Sequence, residues 1–227
     1  MVTAAGDATV TSLPDHASVG VVCAHPDDES FGLGAVIAAL VDRGTRVELV
    51  SLTRGEASSL GAGSDLAERR AAELRAAAAE LGIAEVRLAS HPDGHLAEEA
   101  LEELVEEVVD LLGEVDALLT FDHGGVSGHP DHQRATDVCI LVGVRLGLPV
   151  LGWTVPTPVA DQLREDFAAP FVGRGPDQVH HRIQVDRSRQ RAAMACHASQ
   201  QNPVPYRRLE LLGSVEYLRV LHAPGRG

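Results

Sequence analysis

The sequence predicts an α/β fold, a Rossmann-like three-layer sandwich in which helices cover both faces of a mostly parallel sheet. Two observations predict this class. Short apolar runs alternate with longer segments of helical periodicity along most of the chain, and such alternation is typical of right-handed strand-helix-strand units. Three of the helical segments also stop at a glycine, at Gly44, Gly82 and near Gly147, directly before the next apolar run.

The predicted strands are apolar runs, and the predicted helices lie between them. The strands are residues 19–23, 46–52, 86–88, 117–120, 150–153, 179–185 and 215–221. The helices are residues 30–43, 65–81, 98–112, 129–145 and 186–196, of which 98–112 is rich in glutamate. Between residues 155 and 176 the periodicity weakens into Pro, Gly, Asp and Phe. That stretch predicts a long loop, which we expect to form the rim of a substrate site.

Length and composition predict one domain. The chain has 227 residues, of which 44% are hydrophobic, and this is enough for one large core. We expect the domain to cover residues 18–227 after a loose N-terminal tail at residues 1–17, which lacks the basic start and the apolar core of a signal peptide. The sequence leaves open whether the chain forms a homo-oligomer.

Charge and cysteine content limit the partners and the compartment. The formal net charge is -14 and no cluster of Lys or Arg offsets it, so we exclude nucleic acid and anionic membrane surfaces as partners. The three cysteines, Cys23, Cys139 and Cys196, have no CxxC spacing and lie in apolar or helical runs, which indicates buried thiols. Because no apolar stretch is long enough to span a bilayer, these features predict a cytoplasmic protein that acts on a small molecule.

Two clusters of histidine and aspartate follow predicted strands. His25-Pro26-Asp27-Asp28-Glu29 comes directly after residues 19–23, and Gly128-His129-Pro130-Asp131-His132 follows residues 117–120. Because ligands bind outside the carboxyl ends of the strands in open α/β sheets, we expect the clusters to converge there on one metal ion. Two imidazoles and one carboxylate leave positions open for water and substrate, which is the pattern of a catalytic zinc site, and the same ligands also suit Fe²⁺.

These clusters resemble the two signature motifs of the LmbE-like (PIG-L) family of metal-dependent N-acetylglucosaminyl deacetylases. Four further segments resemble motifs of that family in the same order, namely Thr53-Arg54-Gly55-Glu56, Arg70-Ala71-Ala72-Glu73-Leu74, Pro92-Asp93-Gly94 and His197-Ala198-Ser199-Gln200. The resemblance implies one divalent metal, zinc with Fe²⁺ as the alternative. It also implies a hydrolase that removes the N-acetyl group from an amino sugar conjugate by metal-activated water.

The resemblance further implies a role for each site residue. The metal ligands would be His25, Asp28 and His132. Asp27 would be the general base that takes the proton of the water, and it or His129 would protonate the leaving amine.

The same resemblance makes His129 the group that stabilises the tetrahedral oxyanion. Asp131 would hold the tautomer and the charge of His129, whose pKa we expect to be raised. The spacing of His129 and His132 also permits His129 to be a fourth ligand. The residues implied to contact the substrate are Arg70, Asp93 and Gln200.

Two other functions stay open at the level of the sequence. One is an amidase that cleaves a larger acyl group or a thiol conjugate by the same chemistry. The other is a metal-binding domain without catalysis. Asp27 and His129 argue against the second alternative, because metal binding alone needs neither residue.

Overall fold

The computed structural model describes residues 11, 13–61 and 63–225. Its strands are β1 Ser18–Cys23, β2 Arg46–Thr53, β3 Glu85–His91, β4 Ala117–Phe121, β5 Val150–Pro156, β6 Gly173–Arg174, β7 His181–Gln184 and β8 Val215–His222. Its helices are α1 Asp28–Phe31, α2 Gly34–Asp42, α3 Leu66–Leu81, α4 Leu101–Leu111, α5 Pro130–Leu146, α6 Thr157–Phe167, α7 Ser188–Cys196 and α8 Pro203–Leu212. Single 3₁₀ turns cover Leu96–Glu98, Pro176–Gln178 and Ala198–Gln200.

The strands form one sheet in the order β3-β2-β1-β4-β5-β8-β7, and β6 pairs with β5 beside this path. The five strands from β3 to β5 are parallel to their neighbours, while β8 runs antiparallel to β5 and to β7. The predicted α/β class with a mostly parallel sheet is confirmed. Because β1 and β4 are adjacent and parallel, the loops that carry the two His/Asp clusters leave the sheet side by side.

Two apolar cores lie on opposite faces of the sheet. On β1, Val21 belongs to the core packed by α2 and α3, whereas Val22 belongs to the core packed by α4 and α5, as the alternation of side chains along a strand requires. Both residues are fully buried. Within the described ranges, none of the helices has the length and the apolar character that crossing a membrane needs.

The predicted helix over residues 30–43 is two helices, α1 and α2, separated at Gly32. A Cβ atom at Gly32 would lie 2.5 Å from the Phe121 ring of β4, so only glycine allows this approach of the helix to the sheet. The break lets α1 be a single short turn at the end of β1. Asp28 and Glu29 in its first turn are buried, which a continuous surface helix would not require.

The predicted long loop over residues 155–176 is wrong. Val155 and Pro156 continue β5, and α6 occupies Thr157–Phe167. Pro158 stands in the first turn of this helix, where proline is tolerated because its missing N–H would be unpaired in any case. Ala160 and Leu163 then face the core with helical spacing.

The prediction of a loose tail over residues 1–17 falls partly outside the described residues, which exclude residues 1–10 and 12. The described part is packed. The backbone N–H of Thr11 donates to the carbonyl oxygen of Arg182 at 2.8 Å, and Leu13 is buried in the core beside α2. At these residues the tail is therefore attached to the domain and not loose.

Candidate active site

The two predicted clusters meet in one cavity at the carboxyl ends of β1 and β4. The cavity has a volume of about 420 Å³, and His25, Asp27, Asp28, His129 and His132 are among the residues that line it. This is the size of a site for one small molecule. The first cluster is fixed by the turn into α1, and the second by the first turn of α5.

Three of these side chains place atoms that could bind a metal close to one another. His132 Nε2 lies 3.2 Å from His25 Nδ1 and 3.2 Å from Asp28 Oδ1. Asp28 Oδ2 accepts hydrogen bonds from the backbone N–H groups of Ala24 at 3.1 Å and His25 at 3.0 Å, which fix the carboxylate. His25, Asp28 and His132 are together one of the two groups of described residues whose geometry would hold a metal ion.

The outer nitrogens of both histidines have partners that leave the inner nitrogens free for a metal. His25 Nε2 lies 3.1 Å from Asp131 Oδ2 and 3.0 Å from Asp93 Oδ1, so this nitrogen carries the proton. His132 Nδ1 lies 3.3 Å from the carbonyl oxygen of Gly125, which accepts a hydrogen bond from it. Carboxylate and carbonyl groups behind ligating histidines are typical of metal sites. The residues present therefore fit a divalent metal.

The electrostatics of the ligands follow from these partners. Burial lowers the pKa of His25, but the hydrogen bonds with Asp131 and Asp93 outweigh it and raise that pKa to about 10, so a metal that binds Nδ1 would displace a proton from it. Burial raises the pKa of Asp28, but His132 and His25 outweigh it and lower that pKa overall. Asp28 is therefore an ionised carboxylate, as a metal ligand must be.

The loop between β4 and α5 has a left-handed backbone that supports His132. Gly125 has a φ of 63°, and a Cβ atom on it would lie 2.6 Å from Cβ of His132. Val126 also has a positive φ, 59°, which is strained for a β-branched residue. Phe121 at the end of β4 stacks on the His132 ring with centroids 4.8 Å apart. The loop thus places the carbonyl oxygen of Gly125 behind His132.

The expected role of Asp131 as the partner of His129 is wrong. Asp131 Oδ2 accepts hydrogen bonds from His25 and from the backbone N–H of Gly94, and Oδ1 accepts one from the N–H of Leu96. Both oxygens are therefore engaged by groups other than the His129 ring. The reason is the first turn of α5, which buries the Asp131 carboxylate beneath His25 and leaves His129 exposed at the helix start.

His129 is held instead by the backbone of Asp131. The Asp131 N–H donates to His129 Nδ1 at 3.2 Å, so the proton of a neutral ring stands on Nε2. Partial burial, with the neighbouring His132 and His25, lowers the pKa of His129, contrary to the raised pKa that we expected. The structure thus presents His129 as a neutral N–H donor beside the three converging atoms.

Asp27 lies at the N-terminus of α1 in a strained backbone conformation. Its φ is 134°, which is rare for a residue with a side chain. Glu29 Oε2 accepts the Asp27 N–H at 2.9 Å, and Arg70 Nη2 lies 3.1 Å from Asp27 Oδ2. Burial raises the pKa of Asp27 to about 6, although Arg70 opposes the rise. A carboxylate with such a pKa suits a general base near neutral pH.

A buried ion pair between His197 and Glu29, which the sequence did not predict, holds the backbone N–H of Asp27. His197 Nε2 lies 2.7 Å from Glu29 Oε1, and both side chains are fully buried. The same Glu29 carboxylate accepts the Asp27 N–H through its other oxygen. His197 was left without a role by the sequence, and its only signal was its place at the start of the segment His197-Ala198-Ser199-Gln200.

The three expected substrate contacts line the cavity, but most of their polar atoms have partners within the protein, Arg70 Nε being an exception. Arg70 donates to the carbonyl oxygens of Gly55 at 2.7 Å and Pro26 at 2.6 Å. Asp93 Oδ2 accepts the N–H of Ala57, and Gln200 Oε1 accepts the hydroxyl of Ser58 at 2.6 Å. Arg70 therefore holds the Asp27 turn. Contact of these residues with a substrate stays a prediction.

The wall of the cavity comes from other segments than residues 155–176, none of which line it. Residues Ala57, Ser58, Ser59 and Leu60 after β2 form one side, and Asn202, Val204, Pro205 and Arg208 form another. The second group belongs to α8 and its N-cap, a helix that the sequence reading did not predict. The expected substrate rim at residues 155–176 is therefore wrong, because residues in this range form the end of β5, α6 and β6 and do not line the cavity.

The chain is similar in sequence to a known protein family and to named enzymes. A profile described as PIG-L, GlcNAc-PI de-N-acetylase, matches residues 20–142. The chain is 31% identical to 1D-myo-inositol 2-acetamido-2-deoxy-alpha-D-glucopyranoside deacetylase of Salinispora arenicola, over 84% of this chain and 78% of the relative. It is 32% identical to the enzyme of the same name from Kineococcus radiotolerans, over 61% of this chain. The chain spans about half of that second relative, 49% of its length.

Solved structures show the same fold. The crystal structure of the antimicrobial reagent A40926 pseudoaglycone deacetylase has a TM-score of 0.68 and 20% identity, covering 94% of this chain and 100% of its own. The structure of 4-carboxy-2-hydroxymuconate hydratase from Pseudomonas putida has a TM-score of 0.69 and 16% identity, covering 92% and 98%. One of these enzymes is a deacetylase and the other a hydratase, so the shared fold does not determine the reaction.

Proposed function

This chain belongs to the PIG-L family, and we propose that it is a metal-dependent hydrolase that removes the N-acetyl group from an N-acetylglucosaminyl or related amino sugar conjugate. The observation that carries the proposal is the convergence of His25 Nδ1, Asp28 Oδ1 and His132 Nε2 beside Asp27 in the cavity. The relatives from Salinispora and Kineococcus, whose names state an acetamido sugar as substrate, support it. We place the activity in one domain over residues 18–227.

His25, Asp28 and His132 would hold the metal, which we propose to be zinc with Fe²⁺ as the second candidate. When bound, the divalent metal supplies a Lewis acid that activates a water molecule and polarises the amide carbonyl. The role of Asp131 is to hold His25 in the tautomer that turns Nδ1 toward the metal. Asp93 assists it from the same side of the ring.

Asp27 acts as the general base. Its carboxylate takes the proton of the attacking water, and the buried Arg70 keeps it ionised more readily than burial alone would allow. His129 donates its Nε2 proton in a hydrogen bond to the oxyanion that develops on the amide oxygen. Because His129 is a neutral donor, the proton that the leaving amine needs comes from Asp27, which has just received one.

The experiment is a screen for release of acetate and of longer carboxylic acids by the purified protein, together with elemental analysis of its metal. The panel contains N-acetylglucosaminyl conjugates, the inositol conjugate among them, and the same glucosaminyl conjugates with longer N-acyl groups. We expect acetate release and about one metal per chain. Release of longer acyl groups alone would favour the amidase alternative, and bound metal without release from any conjugate would favour a metal-binding domain.

A further inference from the structure

The cavity contains a buried cation that the proposed reaction does not use. Arg208 of α8 is 8% exposed and lines the cavity. Its Nη2 donates to the carbonyl oxygen of Phe31, the last residue of α1. Its guanidinium carbon lies 4.8 Å from the centroid of the Trp153 ring. These contacts fix the guanidinium at the cavity wall but leave its charge without a carboxylate partner.

Among the described residues, the other two buried arginines each have such a partner. Arg70 Nη2 lies 3.1 Å from Asp27 Oδ2, and Arg187 Nη1 pairs with Glu216. Within the described part of the chain, no carboxylate oxygen lies within salt-bridge distance of Arg208. Its Nε is buried without a hydrogen-bond partner among the described residues, and its Nη1 has none there either. Nη1 is thus the nitrogen left for a ligand.

Two carboxylates, those of Glu216 and Asp28, act on Arg208 from a distance, and both are engaged elsewhere. Asp28 accepts the backbone N–H groups of Ala24 and His25 and lies 3.2 Å from His132. Glu216 raises the pKa of Arg208, but its two oxygens accept hydrogen bonds from Trp153 Nε1 and Arg187 Nη1. Burial, the larger effect, lowers the pKa of Arg208 to about 10, so the guanidinium is charged at neutral pH. A buried charge without a counter-charge is unfavourable, and an anion that enters the cavity would remove that penalty.

We propose, on the basis of the proposed function, that the amino sugar conjugate carries an anionic oxygen group, a carboxylate or a phosphate, which Arg208 Nη1 binds in the cavity. A guanidinium is suited to either group because its N–H donors match the oxygens and its charge is permanent. The cavity of about 420 Å³ has room for a sugar and one small substituent. Arg208 is then a specificity residue for the part of the substrate that is not hydrolysed.

The test uses three N-acetylglucosaminyl conjugates whose aglycones differ only in the terminal group, a carboxylate, a phosphate or an uncharged carboxamide. We expect kcat/KM of the wild type for at least one charged conjugate to exceed that for the carboxamide by roughly tenfold or more. R208Q should lose this preference, and R208K should keep part of it because it keeps the charge. R207Q is the matched control, since Arg207 is the neighbouring arginine on the same helix, pairs with Asp166 and Glu210 and lies outside the cavity.

Equilibrium binding to the D27N variant separates this proposal from the proposed function. That variant lacks the general base, so the affinities of the three conjugates are measured without turnover, with and without the additional R208Q substitution. A charge preference that R208Q abolishes supports the proposal even when no conjugate releases acetate, in which case only the proposed function fails. Equal kcat/KM and equal affinity for all three conjugates would overturn it, as would an equal loss for charged and uncharged conjugates in R208Q, which indicates a structural role.

Discussion

Asp131 Oδ2 lies 3.1 Å from Nε2 of His25. The carboxylate of the second cluster thus holds a ligand from the first cluster, 106 residues away in the chain, and not its neighbour His129. Since the same oxygen also accepts the N–H of Gly94 at 2.7 Å, three segments of the site depend on one buried carboxylate. In the proposed mechanism Asp131 therefore acts on metal affinity more than on the charge of His129.

The first prediction follows from this contact. In D131N the hydrogen bond to His25 weakens because the amide is uncharged, and we expect metal affinity to fall about 10- to 100-fold, the usual effect of losing a group behind a ligand. Competition with a chelator of known affinity measures it. D137N, an exposed aspartate on the same helix, is the control. An unchanged metal affinity in D131N would show that the contact does not matter for binding.

The second prediction concerns Arg70. Its guanidinium lowers the pKa of Asp27, so R70Q should raise that pKa and leave the base protonated up to a higher pH. The loss of kcat/KM in R70Q should therefore be larger at about pH 6 than at about pH 8. R70K, which keeps the charge, should show a smaller difference between the two pH values. An equal loss at both would mean that Arg70 acts on the substrate instead.

R70Q should also destabilise the protein, because it breaks a buried ion pair and leaves the carbonyl oxygens of Pro26 and Gly55 without their donor. The expected cost is about 3–5 kcal/mol in the free energy of unfolding. Urea denaturation of R70Q and R70K measures this cost. A stability of R70Q equal to that of the wild type would contradict the internal role of Arg70.

The third prediction concerns His129. In the proposed mechanism it is a neutral hydrogen-bond donor and not a ligand, so it would contribute to the transition state and not to metal binding. H129A should retain the metal, barely change KM and lower kcat by roughly 10²- to 10³-fold, as when one oxyanion donor is removed. H123A, at another exposed histidine of the same loop, is the control. Loss of metal in H129A would identify His129 as a fourth ligand.

Much of this architecture was predictable from periodicity. The apolar runs before His25 and His129 are parallel neighbouring strands, and this adjacency brings the clusters together. The two helices that were missed, α6 and α8, both have a proline in the first turn; over residues 155–176 we took proline as one sign of a loop, and over residues 203–212 we predicted no element. Asn202 before α8 and Gly213 after it are ordinary cap residues, so the signal for that helix was present.

The partners of the site residues could not be predicted in the same way. Spacing along the chain places Asp131 two residues from His129 and says nothing of His25. The contact between Arg208 and Phe31 joins residues 177 positions apart, and the pair of Glu29 and His197 joins residues 168 apart. Such contacts depend on how α1 packs against α7 and α8, and this packing is a property of the whole fold.

The fourth prediction uses the buried pair of His197 and Glu29. Burial lowers the pKa of His197, but Glu29 outweighs burial and raises that pKa overall. The stabilisation from the pair is therefore complete below the ordinary histidine pKa of about 6.5 and is lost as pH rises through the higher pKa of the folded state.

Urea unfolding of the wild type and H197Q over a range of pH tests this dependence. We expect the stability difference to be largest near about pH 6 and to shrink toward about pH 9. H180Q at an exposed histidine is the control and should show no such trend. A difference between the wild type and H197Q that stays constant or grows with pH would contradict the assignment of a charged His197.

The central claim is that adjacent aspartates have different roles, Asp28 as a metal ligand and Asp27 as the base. The most direct measurement is metal content and acetate release, determined together on D27N and D28A. We predict that D27N keeps its metal while kcat falls by roughly 10²- to 10⁴-fold, and that D28A loses metal and activity together. Stoichiometric metal in D28A, or loss of metal in D27N, would contradict the account.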